Sequence, residues 1–445
     1  MLSRLPDELQ FGRVSLRNVV LFLCCEILAG CVPTFAQSPA DYEQPPISYS
    51  TTTPRAFSAW QTRISSGELR YSGSEKDALK ILLDVLAVPV ESQMLVFSKT
   101  SLQRRRISPE RPRALYFSDS IYVGWVPGGL TEVIMIDPQL GPVFYSLNLR
   151  DAQHGLPKLE RDADCLRCHG GNFVRDIPGI FARSLFTDDT GEPLLRHGTL
   201  IVDDATPFTK RWGGWYVTGY HGDEAHRGNV MAAEEADTLV FQPSDKRPDT
   251  LEEFFDARDY LRPTSDVVAL LVLEHQTTLQ NALTRASFSS RRMMAYQHGL
   301  QKAFKEPLTD EPTYDSVKSV FESTADDVVD RLLFRGAAPL PSGVTGDKAF
   351  QKRFVLNAPK SAAGHTLKDL QLRDRIFAQR CSFLIYADMF LELPEALKTR
   401  IFERLQTALQ SEAADNRYAY IPREEKQRIY DILLETHPDA KRLWR

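Results

Sequence analysis

Cysteine is scarce in this chain: 6 in 445 residues, too few for a disulfide scaffold at this length. Positive charge is not in excess either. Lys and Arg number 54 against 59 Asp and Glu, a formal net charge of −5, so no global field exists to hold nucleic acid. Beyond the first 31 residues no run approaches ~18 consecutive apolar residues, which leaves nothing there to span a membrane. No internal repeat and no low-complexity block is present, which excludes solenoids and arrays. A phosphate loop, an H-E-x-x-H and a Ser-His-Asp motif are also missing, which removes the commoner kinase, metalloprotease and hydrolase readings. What is there is globular: 42% hydrophobic, 10% aromatic and 25% charged residues, enough for a sizeable core.

Half of the cysteines, Cys24, Cys25 and Cys31, fall near the N-terminus. Arg4, Arg13 and Arg17 precede the apolar run Val19-Val20-Leu21-Phe22-Leu23-Cys24-Cys25, which continues past Glu26 as Ile27-Leu28-Ala29-Gly30-Cys31. A basic segment followed by a short apolar one predicts a secretory signal over residues 1–36 and an extracytoplasmic address, in the periplasm or anchored to a membrane by lipid. Leu28-Ala29-Gly30-Cys31 has the form of a bacterial lipobox, which would lipidate Cys31; Thr34-Phe35-Ala36 equally has the form of an ordinary cleavage site. A lipid on Cys31 would be the only link to a membrane. Residues 37–56, rich in Pro, Ser and Thr, predict an extended tether to a single large domain over 57–445.

Within that domain, Leu79, Leu82, Leu83 and Leu86 recur at helical spacing. Short β-rich runs follow at 94–98, 114–117, 121–126, 131–136 and 143–149, separated by turn formers such as Pro127-Gly128-Gly129 and Asp137-Pro138. That spacing suits an antiparallel meander, because parallel strands need longer crossovers. Helices are expected at 265–285, 315–334, 367–392, 394–411 and 422–435. Strands over 90–235 followed by helices over 262–445 predict an α+β fold.

One motif carries chemistry. Asp164-Cys165-Leu166-Arg167-Cys168-His169-Gly170-Gly171 contains C-x-x-C-H, the attachment signature of a c-type haem. Two thiols must reach two vinyl groups on one porphyrin edge while the adjacent histidine swings under the iron; two intervening residues set the thiols about a helical turn apart. At this composition chance supplies only about 0.002 such motifs. Half a zinc site competes poorly, since no second C-x-x-C exists and Cys381 is the one remaining cysteine after the motif. A Cys165–Cys168 redox disulfide would leave His169 unexplained and lacks a thioredoxin-like βαβ context. Export agrees with haem independently, because covalent attachment is done outside the cytoplasm. One covalent haem c is expected, with His169 as proximal ligand.

The chain resembles a group of uncharacterised bacterial cytochrome-c-related exported proteins with a single C-x-x-C-H. The resemblance lies in Met94-Leu95-Val96-Phe97-Ser98-Lys99-Thr100-Ser101, Arg106-Ile107-Ser108-Pro109, Arg113-Ala114-Leu115-Tyr116-Phe117, Tyr122-Val123-Gly124-Trp125 and the haem motif. It continues in Arg211-Trp212-Gly213-Gly214-Trp215-Tyr216-Val217-Thr218-Gly219, Leu273-Glu274-His275-Gln276 and Cys381-Ser382-Phe383-Leu384-Ile385-Tyr386. It implies a shared fold and a haem, and no activity. A motif lying mid-chain amid strands is unlike a class I cytochrome c, which is small, helical and has its attachment motif near the N-terminus.

The sixth iron position separates carrier from catalyst. His221, His226 and His275 are the candidate distal ligands; His275 sits on an apolar stripe of Val268, Leu271, Val272, Leu279 and Ala282, where a core role competes. Trp212 and Trp215 are candidate pocket walls, with Gly213 and Gly214 letting the backbone approach a flat ring. Arg104, Arg105, Arg106, Arg111 and Arg113 form a basic cluster, of which Arg106 and Arg113 are candidate partners for haem propionates. Cys381 is expected as a buried, inert thiol in an apolar helix. The leading expectation is an electron carrier serving a redox partner protein or a small-molecule donor or acceptor, with no nucleic acid involved. The alternatives are a haem enzyme with an open distal site, peroxidase- or oxidase-like, and a haem-based sensor or binding protein.

Overall fold

The computed structural model describes residues 40–55, 73–151, 158–241, 248–411 and 417–444; the signal segment and Cys31 lie outside them. Helix α1 (Glu75–Val85) begins at a capping box, in which Ser74 Oγ accepts from the Asp77 N–H and the Asp77 carboxylate accepts from the Ser74 N–H. Six strands follow: β1 (Met94–Val96), β2 (Arg113–Phe117), β3 (Ile121–Trp125), β4 (Thr131–Asp137), β5 (Gly141–Leu147) and β6 (Glu160–Arg161). They join edge to edge in chain order, every pair antiparallel, as the turn spacing predicts. Central strand β3 is buried at every residue, so both faces of the sheet are covered there.

Beyond the sheet the chain is loop-rich. A single turn of helix, α2 (Leu166–His169), carries the cysteine–histidine motif. Short ladders follow: β7 (Arg183–Ser184) with β8 (Leu200–Ile201), then β9 (Tyr220–His221), then β10 (Ala232–Glu235) with β11 (Thr238–Phe241). Helices then dominate: α3 (Val267–Phe304) and α4 (Asp315–Leu332), then, after β12 (Val344–Thr345) has paired back with β9, α5 (Lys348–Phe354), α6 (Asp388–Leu391), α7 (Glu395–Gln410), α8 (Arg423–Thr436) and α9 (Pro438–Leu443). The fold is α+β, an antiparallel sheet in the N-terminal half and helices in the C-terminal half, and it is not that of a class I cytochrome c. Met94, Phe117, Tyr122 and Ile136 from the sheet share one apolar core with α3, α4 and α7. No described helix is long and apolar enough to cross a membrane.

Two expectations are corrected. The described part of the predicted tether is not extended: Tyr42, Ile47 and Tyr49 are buried, and one compact unit runs from Asp41. Tyr49 Oη donates to the Pro142 carbonyl (2.7 Å), and Arg161 donates to the carbonyls of Tyr49, Ser50 and Thr52, so an aromatic pair and one arginine outweigh the Pro and Ser content. The helix expected over 367–392 is absent except for α6. Thr366 N–H donates to Asp369 (3.0 Å), Arg373 N–H donates to Gln371 Oε1 (2.8 Å), and Leu372 takes φ +59°, so side chains competing for the backbone hold turns instead. Cys381 is fully buried as expected, but in this loop rather than in a helix.

Candidate functional site

From β6 the chain enters a short 3-10 turn over Ala163–Cys165, capped by Asp162, whose carboxylate accepts from the Asp164 N–H (3.0 Å). That turn runs directly into α2, so Cys165 and Cys168 stand one helical turn apart, as attachment to one porphyrin edge requires. Both thiols are free. Burial first, then the neighbouring carboxylates Asp162 and Glu132, push the Cys165 thiol up to about 12. A redox-active dithiol needs the opposite, an attacking thiol with a lowered pKa.

His169 is fixed by a reciprocal pair of bonds. Its Nδ1 lies 2.8 Å from the Gly179 carbonyl, and its own carbonyl accepts from the Gly179 N–H at 2.8 Å. A carbonyl only accepts, so Nδ1 carries the proton and Nε2 keeps its lone pair, the tautomer a metal ligand needs. Desolvation lowers the pKa of the ring and keeps it neutral. Phe144 and Phe181 flank it at centroid distances of 5.0 and 4.9 Å. The holding loop is itself clamped from α3: Asn281 accepts from the Ile180 N–H (2.9 Å) and donates to the Ile180 carbonyl (2.6 Å). Arg175 and Asp176, both at φ +57°, bend that loop through consecutive left-handed residues, a local strain next to the motif.

Cys165, Cys168 and His169 line one cavity together with Phe144, Phe181, Ile180, Trp215, Leu273, Arg113 and Glu132. Its enclosed space is about 160 Å³ and it opens to solvent at its mouth. The lining is mostly apolar with few polar groups, the setting of a small-molecule or cofactor site. The residues fit a c-type haem on three counts: two thiols at attachment spacing, a neutral imidazole with its Nε2 lone pair retained, and an apolar chamber shared by all three. Among the described residues no cluster of three or more His, Cys, Asp or Glu side chains is disposed to hold a bare metal ion.

No family model, curated protein or solved structure matches the chain. The chemistry of the site rests on its own residues.

The other candidate residues separate. Trp215 and Arg113 line the cavity, and Trp215 Nε1 donates to the Arg183 carbonyl at 2.7 Å. Trp212 is buried elsewhere against Phe208 and His226, and Arg106 is exposed on a separate surface. Gly213 and Gly214 serve protein packing rather than a ring: a Cβ on Gly213 would lie 2.4 Å from the Leu185 carbonyl oxygen, and one on Gly214 would lie 2.7 Å from the Ser98 Cβ.

None of His221, His226 and His275 lines the cavity. His221 and His226 are buried edge to face, with centroids 4.2 Å apart. His226 Nδ1 accepts from the Gly228 N–H (2.9 Å), which commits its lone pair. His275 uses both nitrogens, Nδ1 donating to Asp204 (3.0 Å) and Nε2 accepting from Ser382 Oγ (2.7 Å). Ser382, His275 and Asp204 thus stand in the hydrogen-bond order of an acyl-transfer triad, which no sequence motif announced. Ser382 and His275 are both fully buried, and Ser382 Oγ also accepts from the Leu384 N–H (3.3 Å). Ser382 and His275 thus form a buried network with Asp204, which reaches the wall of a separate cavity, beside the buried Arg211–Glu274 pair at 2.6 Å. Gly179, Asn281 and Glu132 escaped sequence reasoning, since their roles depend on partners 10, 101 and 19 residues away respectively.

Proposed function

We propose that this chain is an exported c-type haem-binding protein with an electron-transfer role, akin to cytochrome-c-related exported proteins. The observation that carries the reading is the meeting of Cys165, Cys168 and a His169 of defined tautomer on one apolar cavity wall. Cys165 and Cys168 would hold the haem covalently and His169 would ligate its iron. The group supplies reversible one-electron chemistry when bound. The chain's own residues do the rest. Gly179 orients the imidazole, Asn281 holds Gly179's neighbour, and Phe144 and Phe181 exclude water from the ring.

Mass spectrometry of protein made with haem-attachment machinery tests this: one added haem that survives denaturation is expected, lost when both cysteines are replaced by Ala. Zinc or a simple disulfide in its place sinks the reading. A second reading, a haem enzyme with an open distal site, is favoured by one observation. The three candidate distal histidines lie outside the cavity, whereas the Arg113–Glu132 pair lies within it. A low-spin ferric spectrum indifferent to dilute cyanide supports the carrier; a high-spin one with rapid peroxide reaction promotes the enzyme.

A further inference from the structure

Arg113, Gly124 and Glu132 stand on three neighbouring strands of the sheet and all line the haem cavity. Gly124 pairs with Leu115 on one side and Glu132 on the other, so Arg113, two residues from Leu115, shares their face. The glycine is a seat. A Cβ there would lie 2.5 Å from Arg113 Nη2, 2.9 Å from Nε and 3.1 Å from Cζ, so the guanidinium rests where any other residue would put its side chain. Glycine inside a strand often marks such a close approach.

Glu132 fixes the guanidinium in that seat. It is ion-paired to Arg113 Nη2 and held in turn by Gln103 Nε2 (3.0 Å). Arg113 Nε is left buried with no partner. Nη2 alone is engaged, by Glu132, and a fork with its other terminal nitrogen, Nη1, unengaged is suited to an anion, because guanidinium geometry matches carboxylates and similar groups. The other cavity arginine, Arg183, stacks over Phe173 (4.8 Å) and bonds Thr199 through Nε (3.1 Å).

We propose that Arg113, seated on Gly124 and steadied by Glu132, is the anion-binding group of this cavity. It takes a single carboxylate or small monoanion: a propionate of the haem itself, or an exogenous anion such as azide or formate. The inference rests on the haem reading and assigns a role within it.

The test uses haem-loaded protein as wild type, Arg113→Ala, Arg113→Lys and Gly124→Ala. The readouts are haem per chain by mass, the azide dissociation constant of the ferric form, and the propionate bands in resonance Raman. If the anion is exogenous, Arg113→Ala weakens azide about tenfold or more and leaves the propionate bands in place. If it is a propionate, those bands move and the azide constant stays within about twofold. In either case Gly124→Ala reproduces the effect of Arg113→Ala, because the methyl clashes only with the flexible end of a side chain and displaces it. Lysine keeps the charge without the fork and recovers part of the effect. Full haem loading with neither readout moved in Arg113→Ala and Gly124→Ala overturns the proposal. Wild-type protein without attached haem sinks the underlying reading and the proposal with it, so the two failures are told apart.

Discussion

A histidine's two ring nitrogens decide what it can do, and this protein uses them in different ways. His169 donates from Nδ1 and keeps the Nε2 lone pair; His275 engages both; His226 accepts at Nδ1. Replacing His275 by Ala leaves the Asp204 carboxylate without its histidine donor and the Ser382 hydroxyl without its acceptor, so a loss of about 1–3 kcal/mol in urea unfolding is expected, with the spin state of a loaded haem unchanged. A change of spin state would put His275 back on the iron. For His226, burial and then its neighbour His221 lower the pKa from 6.5 to about 3. Between those values the unfolded chain binds a proton that the folded chain refuses. The stabilising contribution is therefore complete above about pH 6.5 and is lost as pH falls toward 3, at up to about 1.4 kcal/mol per pH unit. Glu274 works the other way: burial, only partly offset by Arg211, raises its carboxyl from 4.5 to about 7, so its contribution is present at low pH and fades as pH rises through that window. His226→Gln, which still offers Gly228 an acceptor, isolates the first effect and should flatten the acid limb of stability against pH. An unflattened limb would assign the limb to other groups. Of the proposed site, Cys165, Cys168 and His169 were legible in the sequence, because Cys-x-x-Cys-His is a local spacing. The seat at Gly124 was not, because a glycine's purpose lies in the side chain that fills its place.

At the scale of elements, the five strands of the meander were legible because short runs rich in β-branched and aromatic residues are separated by turn formers such as Pro127-Gly128-Gly129 and Asp137-Pro138. Helix α3 was legible only in part. Its first half lies in the core and shows an apolar stripe over Val268, Leu271, Val272 and Leu279, whereas Arg291, Arg292 and Tyr296 beyond it lie partly or fully in solvent. The periodic signal fades there while helix-forming residues carry the helix on to Phe304. Residues 367–392 erred in the opposite direction, with apolar residues near helical spacing overruled by local side-chain bonds. Helix α3 also reaches the loop behind His169, through Asn281. Asn281→Leu fills the space but leaves the Ile180 N–H and carbonyl unpaired, a loss of about 1–3 kcal/mol. Faster hydrogen exchange at Ile180 in the variant, measured on haem-free protein, is the expected sign that the loop behind His169 has loosened. Unchanged exchange there would mean that the clamp is redundant.

For the whole molecule, the strap of residues 41–55 joins the Cys-x-x-Cys-His motif to the sheet edge. Tyr49 packs edge-on against Tyr42 at 5.7 Å and lies under Arg161 at 4.7 Å, and a Cβ on Gly170, the residue after His169, would lie 2.5 Å from Tyr42 Oη. The strand that carries Arg161 leads straight into the cysteine turn, so the same contacts that bury the strap steady the approach to the motif. A chain beginning at Asp41 keeps all of this and should melt with the full-length protein. A chain beginning at Ala56 loses three buried apolar side chains, Tyr42, Ile47 and Tyr49, each worth about 1.5–3 kcal/mol, and uncovers the carbonyl of Pro142. It also strips Arg161 of its three carbonyl acceptors. Paired thermal melts and haem stoichiometry measure the effect: the shorter chain should melt well below the longer one and load less haem. Equal melting of the two would show that the strap rests on the domain without stabilising it. A lower melt with full haem loading would confine its role to stability and leave the geometry of the motif to Gly179 and Asn281 alone.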